Sequence, residues 1–144
     1  MRKLTIISTL LAGSLAIAGC SGEPASDDPT APAQAEPAFT DLTGDAAAGE
    51  RAYGKCRACH LLEPGRNTIG PTLHGVVGRQ AGAIAGFNYS DANASADLEW
   101  TPEALFDYLE NPREFMPGNR MPFAGISDPQ ERADIIAFLE TQGG

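Results

Sequence analysis

The chain has 144 residues, with ten Lys and Arg against nineteen Asp and Glu and a net charge of −9. So acidic a chain excludes nucleic acid and an anionic lipid surface as partners held by charge. Its folded part, taken as residues 41–144, makes one small domain, too short for a generous apolar core, and such a domain gains from a bound group.

At the start, Arg2 and Lys3 precede an apolar run from Leu4 to Ala12, and Leu15-Ala16-Ile17-Ala18-Gly19-Cys20 closes it. This is the layout of a secretory signal, and the run falls short of the roughly 18 apolar residues of a spanning helix. Residues 1–19 are therefore set apart from the fold. The stretch Ile17-Ala18-Gly19-Cys20 resembles the bacterial lipobox, which implies a lipid on Cys20 as the first residue of the mature protein. The competing reading is an ordinary signal peptide with a chance cysteine, which would make the mature protein soluble and periplasmic. The lipid reading is preferred because Cys20 otherwise has no partner. Two or more acyl chains, at about 0.8 kcal/mol per buried methylene, would hold the protein on the periplasmic face of a bacterial membrane.

Residues 20–40 read as a disordered Pro/Ala/acidic tether, with almost no large apolar residue to bury. Pro24, Pro29, Pro32 and Pro37 favour extended backbone, so the tether could reach roughly 60 Å at about 3.1 Å per residue.

The first helix is predicted to start at the Asp45 cap and run to about Lys55, with Gly49 leaving room for a close helix crossing. Cys56-Arg57-Ala58-Cys59-His60 follows at once. Cys-x-x-Cys-His is the signature of covalent haem attachment. Two thiols one helical turn apart reach the two vinyl groups on one porphyrin edge, and the next imidazole projects under the iron. A thioredoxin-like redox pair would need a βαβ pattern, and no Val/Ile-rich strands surround the motif. A structural zinc site needs four ligands, and only His74 remains in this domain to supply one. A disulfide between Cys56 and Cys59 leaves His60 unexplained.

Residues 61–99 are rich in Gly and turn formers and are expected to wrap a haem as loops. A second helix should begin at Thr101 with Pro102 in its first turn and stop near Asn111 before Pro112. Leu105, Phe106 and Leu109 lie on it at helical spacing. The last helix has Asp128 as its cap, Pro129 in its first turn and Glu131 as the partner of a capping-box variant. Ile135, Phe138 and Leu139 share one of its faces. Past the leader, only Met116 and Met121 offer a soft sulfur as sixth ligand to an iron, and composition leaves the choice between them open.

From Gly44 to Gln142 the ordered set of motifs resembles the class I, mitochondrial-type c-type cytochromes. The residues that carry the resemblance are Gly44-Asp45, Gly49, Tyr53, the attachment motif, Gly70-Pro71-Thr72-Leu73-His74-Gly75, Gly78-Arg79, Gly86-Phe87-Asn88-Tyr89, Asn93, Trp100, Tyr108-Leu109-Glu110-Asn111-Pro112 and Pro117-Gly118-Asn119-Arg120-Met121. The resemblance implies an all-α fold, three main helices plus loops wrapped around one haem c bound through Cys56 and Cys59. It implies that the last helix crosses the first, with Tyr53 meeting Phe138 near Gly49. It also implies His60 and Met121 as iron ligands, with Met116 as loop packing and His74 as a structural histidine. The Pro71 carbonyl would orient the His60 imidazole, Arg79, Tyr89, Asn93 and Trp100 would surround the haem propionates, and Tyr108 would stand beside the methionine sulfur. Two departures are visible: Asn119-Arg120 replaces Thr-Lys in the methionine loop, and one residue is missing between His60 and Pro71.

The implied function is single-electron transfer by a monomeric carrier, not an enzyme, in a bacterial respiratory or photosynthetic chain. A cytochrome bc-type complex would be the donor, and a terminal oxidase or a photosynthetic or other reductase centre the acceptor. The alternative is a haem-based sensor or peroxidase-like enzyme in which Met121 leaves the iron. Lys55 is the single lysine of the domain. A docking ring of lysines is therefore absent, and docking must rely on apolar contact, the few arginines or the raised effective concentration given by the tether.

Overall fold

Asp45 opens the first helix: its Oδ1 accepts from the N–H groups of Ala47 at 2.8 Å and Ala48 at 3.2 Å. In the computed structural model, which describes residues 36–143, this helix, α1, spans Ala46–Ala52 and tightens into a 3-10 turn over Tyr53–Lys55. A short α2 covers Asp91–Ala94 under a Ser90 cap. Helix α3 spans Pro102–Glu110, with the Thr101 hydroxyl accepting from the Ala104 N–H at 3.2 Å. A one-turn α4 follows over Pro112–Phe115, and α5 spans Pro129–Glu140 from the Asp128 cap. The three main helices stand where capping chemistry puts them, because a cap needs only neighbours in sequence.

Helices α1 and α5 cross at two glycines. A Cβ on Gly49 would overlap the Asp134 carbonyl, and one on Gly44 would crowd Ala133 and Ala137. Beside that crossing the Tyr53 and Phe138 rings meet with centroids 5.4 Å apart, as the family resemblance implies. Helix α3 packs on another side of α5, so α5 is enclosed more fully than one apolar stripe predicts: Arg132, Ala133, Ile135, Ile136, Phe138 and Leu139 are all buried. Ile135 and Ile136, at 1% and 0% exposure, each contribute about 2 kcal/mol through burial.

Three local expectations need correction. The Asp128 cap accepts from Gln130 and Glu131 N–H groups, but the Glu131 carboxylate pairs with Lys55 Nζ at 2.5 Å, so the reciprocal half of the capping box goes to an ion pair between elements. Residues 36–40 fall within the expected tether, yet residues 36–41 are docked. Phe39–Asp41 forms a 3-10 turn, the Phe39 ring lies 5.5 Å from that of Phe106, and Glu36 is ion-paired with Arg132. One aromatic and one carboxylate paired with a buried guanidinium suffice to attach a segment whose composition is otherwise that of a linker. The leader, Cys20 and the remainder of the tether lie outside the described residues.

The loops 61–99 are more regular than their composition suggests, since besides α2 they contain an isolated antiparallel bridge between Gln80 and Glu99. The Gly78 and Trp100 N–H groups extend that pairing, each bonding at 2.9 Å to Trp100 and Arg79 carbonyls respectively. Among the described residues no strand forms, and no helix is long and apolar enough to cross a membrane. The fold is all-α, and the attachment segment after α1, these loops, α3 and residues 119–123 line a large cavity.

Candidate functional site

The cavity measures about 490 Å³, and its walls bring together Cys56, Cys59, His60, Pro71, Arg79, Tyr89, Asn93, Trp100, Tyr108 and Met121. All ten pocket residues singled out in the sequence therefore line one space. Met116 is not among its walls. It is 6% exposed, and the Asn93 Nδ2 donates to its sulfur at 3.6 Å.

The attachment segment continues the helical winding of α1. Cys56 and Arg57 N–H groups bond to the Tyr53 carbonyl at 2.8 and 3.1 Å, and Cys59 and His60 N–H groups to the Cys56 carbonyl at 3.0 Å. Cys56 and Cys59 thus stand one turn apart, both half-buried and not joined to each other. Burial raises the pKa of the Cys56 thiol, with Lys55 opposing it. The Tyr53 hydroxyl donates to the His60 carbonyl at 2.9 Å, which ties the motif back to α1.

His60 Nδ1 lies 2.8 Å from the Pro71 carbonyl. A carbonyl can only accept, so Nδ1 carries the proton and Nε2 is left as the free base. Burial lowers the imidazole pKa, the Pro71 bond opposes that shift, and the nearby Arg79 charge adds to it. The ring is therefore a neutral nitrogen base, the form that binds a metal. A Cβ on Gly70 would run into the ring, so Gly70 is the wall against which the imidazole stacks. The shorter connection from His60 is no obstacle, because Gly70 N–H and Thr68 Oγ1 both bond to the Cys59 carbonyl, at 2.8 and 2.6 Å, and draw residues 68–71 inward.

On the same cavity's walls, the Tyr108 hydroxyl stands 3.9 Å from the Met121 sulfur. Burial pushes the Tyr108 pKa up to about 12, so the phenol stays a proton donor. Trp100 is buried and packs on Tyr108 with ring centroids 4.8 Å apart. Arg79 is held by the His74 and Thr72 carbonyls at 2.8 and 2.9 Å. His74 therefore contributes its backbone at this site, as a structural residue.

Lys55, Arg79 and Arg120 are on the cavity walls and no Asp or Glu is, although the chain is strongly acidic. Such a lining suits a flat apolar group that carries carboxylates. The cavity passes a second test: Asn93 Oδ1 is buried at its wall without a hydrogen-bond partner, so the protein alone does not complete its polar contacts. Among the described residues no cluster of three or more His, Cys, Asp or Glu could hold a bare metal ion. The walls also include residues that sequence reasoning did not assign to the site, among them Ile69, Val76, Phe123 and Arg120. Apolar residues in loops follow no period, so no signal marked them.

A cytochrome c family model matches residues 46–143. The chain is 46% identical over 103 residues to cytochrome c of Arabidopsis thaliana, covering 70% of this chain and 92% of that one. It is 48% identical over 104 residues to cytochrome c2 of Rhodopila globiformis, covering 68% and 98%. Among solved structures, cytochrome cH from Methylobacterium extorquens superimposes with a TM-score of 0.65 at 48% identity, over 68% of this chain and 99% of that one. The chain belongs to the cytochrome c family: it is a class I c-type cytochrome, an electron-transfer haem protein and not an enzyme, with one haem c bound covalently through Cys56 and Cys59.

Proposed function

We propose that His60 and Met121 are the two axial ligands of the haem iron, and that the protein shuttles single electrons along a bacterial respiratory or photosynthetic chain. The observation that carries this reading is the pairing within one cavity of a neutral imidazole, oriented by Pro71 at 2.8 Å, with a thioether whose sulfur lies 3.9 Å from Tyr108. When bound, the haem supplies the iron that cycles between ferric and ferrous. The protein's part is to hold both ligands through that cycle and to keep water out. A soft thioether and an apolar surround both favour the ferrous form.

The donor is a cytochrome bc-type complex, and the acceptor a terminal oxidase or a photosynthetic or other reductase centre. Ile69 is 75% exposed at the cavity wall, and Lys55 and Arg120 flank the same opening. This mixed apolar and cationic rim is the docking face, in place of a lysine ring. The leader and Cys20 support an exported protein, lipid-anchored on the periplasmic side and carried by a tether that ends before Glu36. An unmodified N-terminus in mass spectrometry of the mature protein would remove the anchor.

The test of ligation is an optical spectrum of the oxidised and reduced protein. The far-red band of sulfur-ligated ferric haem should vanish in Met121→Ala and persist in Met116→Ala. A high-spin spectrum that responds to carbon monoxide would replace the carrier reading with a ligand-binding one.

A further inference from the structure

The loop from Met116 to Met121 is organised around one side-chain amide. The Met116 carbonyl accepts from the Asn119 N–H at 3.1 Å, closing a turn in which Gly118 has φ +88°, the conformation that a type II turn requires at its third residue. Within that turn Asn119 Nδ2 donates to the Pro112 carbonyl at 2.5 Å and to the Met116 carbonyl at 2.9 Å. Its Oδ1 accepts from the Met121 N–H at 2.9 Å. Two carbonyls can only accept and a backbone N–H can only donate, so the amide fits in one orientation. Both of its N–H bonds and its oxygen are engaged. One side chain thereby joins α4, the turn after it and the backbone of Met121.

Beside it, Arg120 Nη2 donates to the Asn88 carbonyl at 2.5 Å, fastening the same loop to the segment that carries Tyr89. Neither hold is available to a threonine and a lysine in the same way. A hydroxyl has a single O–H and can serve only one of the two carbonyls.

We propose that Asn119 is a positioning residue for the methionine ligand: its amide bracket sets how often the Met121 sulfur leaves the iron. This rests on the assignment of Met121 as a ligand. Asp at position 119 would keep the acceptor for the Met121 N–H and turn its other oxygen against two carbonyls, whereas Ala would remove all three bonds.

The test adds imidazole to the ferric holoprotein and follows its replacement of the sulfur, a step in which an iron–sulfur bond breaks, an iron–nitrogen bond forms and no electron moves. Its rate should rise by about tenfold in Asn119→Asp, which loses two of the three bonds, and in Asn119→Ala, which loses all three, and by less in Asn119→Thr. Phe39→Ala, which removes a ring contact to α3 and touches none of the Asn119 bonds, should lower the melting temperature and leave that rate unchanged. In the unmutated protein the Met121 amide should exchange with deuterium more slowly than the Arg120 amide next to it. Wild-type imidazole rates in the Asn119 variants, equal acceleration in Phe39→Ala, or rapid exchange at Met121 would each overturn the bracket. Loss of the far-red band in Met121→Ala keeps the ligand assignment standing whatever the Asn119 variants do, and its retention would end both.

Discussion

The guanidinium carbon of Arg132 lies 4.2 Å from the centre of the Phe106 ring, on a side chain with no exposed surface. Its Nη1 donates to the Ile126 carbonyl at 2.7 Å, and its Nη2 is ion-paired with Glu36 and 3.9 Å from Glu110. A buried cation stripped of its partners is costly, but an apolar replacement of similar length is not. Arg132→Ala should cost about 3 kcal/mol in a urea titration, Arg132→Met distinctly less, and Glu36→Gln about 1 kcal/mol. Equal losses for Ala and Met would mean that the charge, and not the filled volume, is what matters there.

Gly49 should tolerate nothing larger. Its missing Cβ faces the Asp134 backbone carbonyl, which cannot rotate away as a side chain could. Gly49→Ala should force α1 and α5 apart and destabilise by about 3 kcal/mol or prevent folding, measured as the thermal midpoint. Gly54, with open space around its Cβ position, is the matched control and should accept Ala with little loss.

Gly70→Ala acts on the site itself, since the added methyl meets the His60 ring. The imidazole must turn away from Pro71 and give up the 2.8 Å bond. The expected result is a lower yield of haem-loaded protein and a stability loss of about 2 kcal/mol. Unchanged spectra and unchanged melting would show that the ring has slack against this wall.

Tyr108→Phe removes a hydroxyl 3.9 Å from the Met121 sulfur while leaving the ring packed on Trp100. A thioether is a weak acceptor, so the bond is worth about 0.5 kcal/mol, or about 20 mV for one electron. On the proposed ligation by Met121, loss of that donor would let the sulfur give more density to ferric iron, and the midpoint potential should fall by about that amount in a redox titration. A change several times larger would point to movement of the ligand and not to loss of one contact.

Stability should also decline in alkali. Burial pushes the Tyr53 phenol from 10 up to about 12. The unfolded chain therefore releases this proton from pH 10 upward while the folded one keeps it. The stabilisation is complete below pH 10 and lost as the pH rises towards 12. Denaturant midpoints between pH 9 and 11.5 should drop less steeply in Tyr53→Phe than in the unmutated protein, and parallel curves would count against the shift.

The attachment motif, the starts of α1, α3 and α5 and the stop of α3 before Pro112 were all legible in the sequence, because each depends on residues within a turn of one another. Asp45, Thr101 and Asp128 cap helices through neighbours two or three positions on, and Cys56 and Cys59 take their spacing from one helical turn. The identity of the pocket residues was legible through resemblance, which carries long-range information that a single chain's periodicity does not.

What tertiary structure alone decided lies between residues far apart. Arg132 looks like a surface residue on any amphipathic pattern, yet enclosure of α5 by α1 and α3, together with Glu36 returning from the far end of the domain, buries it. Asn119 looks like a turn residue, and only the approach of the Pro112 and Met116 carbonyls gives its amide two acceptors at once. The docking of Phe39, the loss of the capping box to a Lys55 ion pair and the cationic lining inside an acidic chain have the same cause. Local chemistry determines where helices begin and which groups can bind a haem, whereas the partners of a polar side chain depend on what packing brings within 3 Å of it.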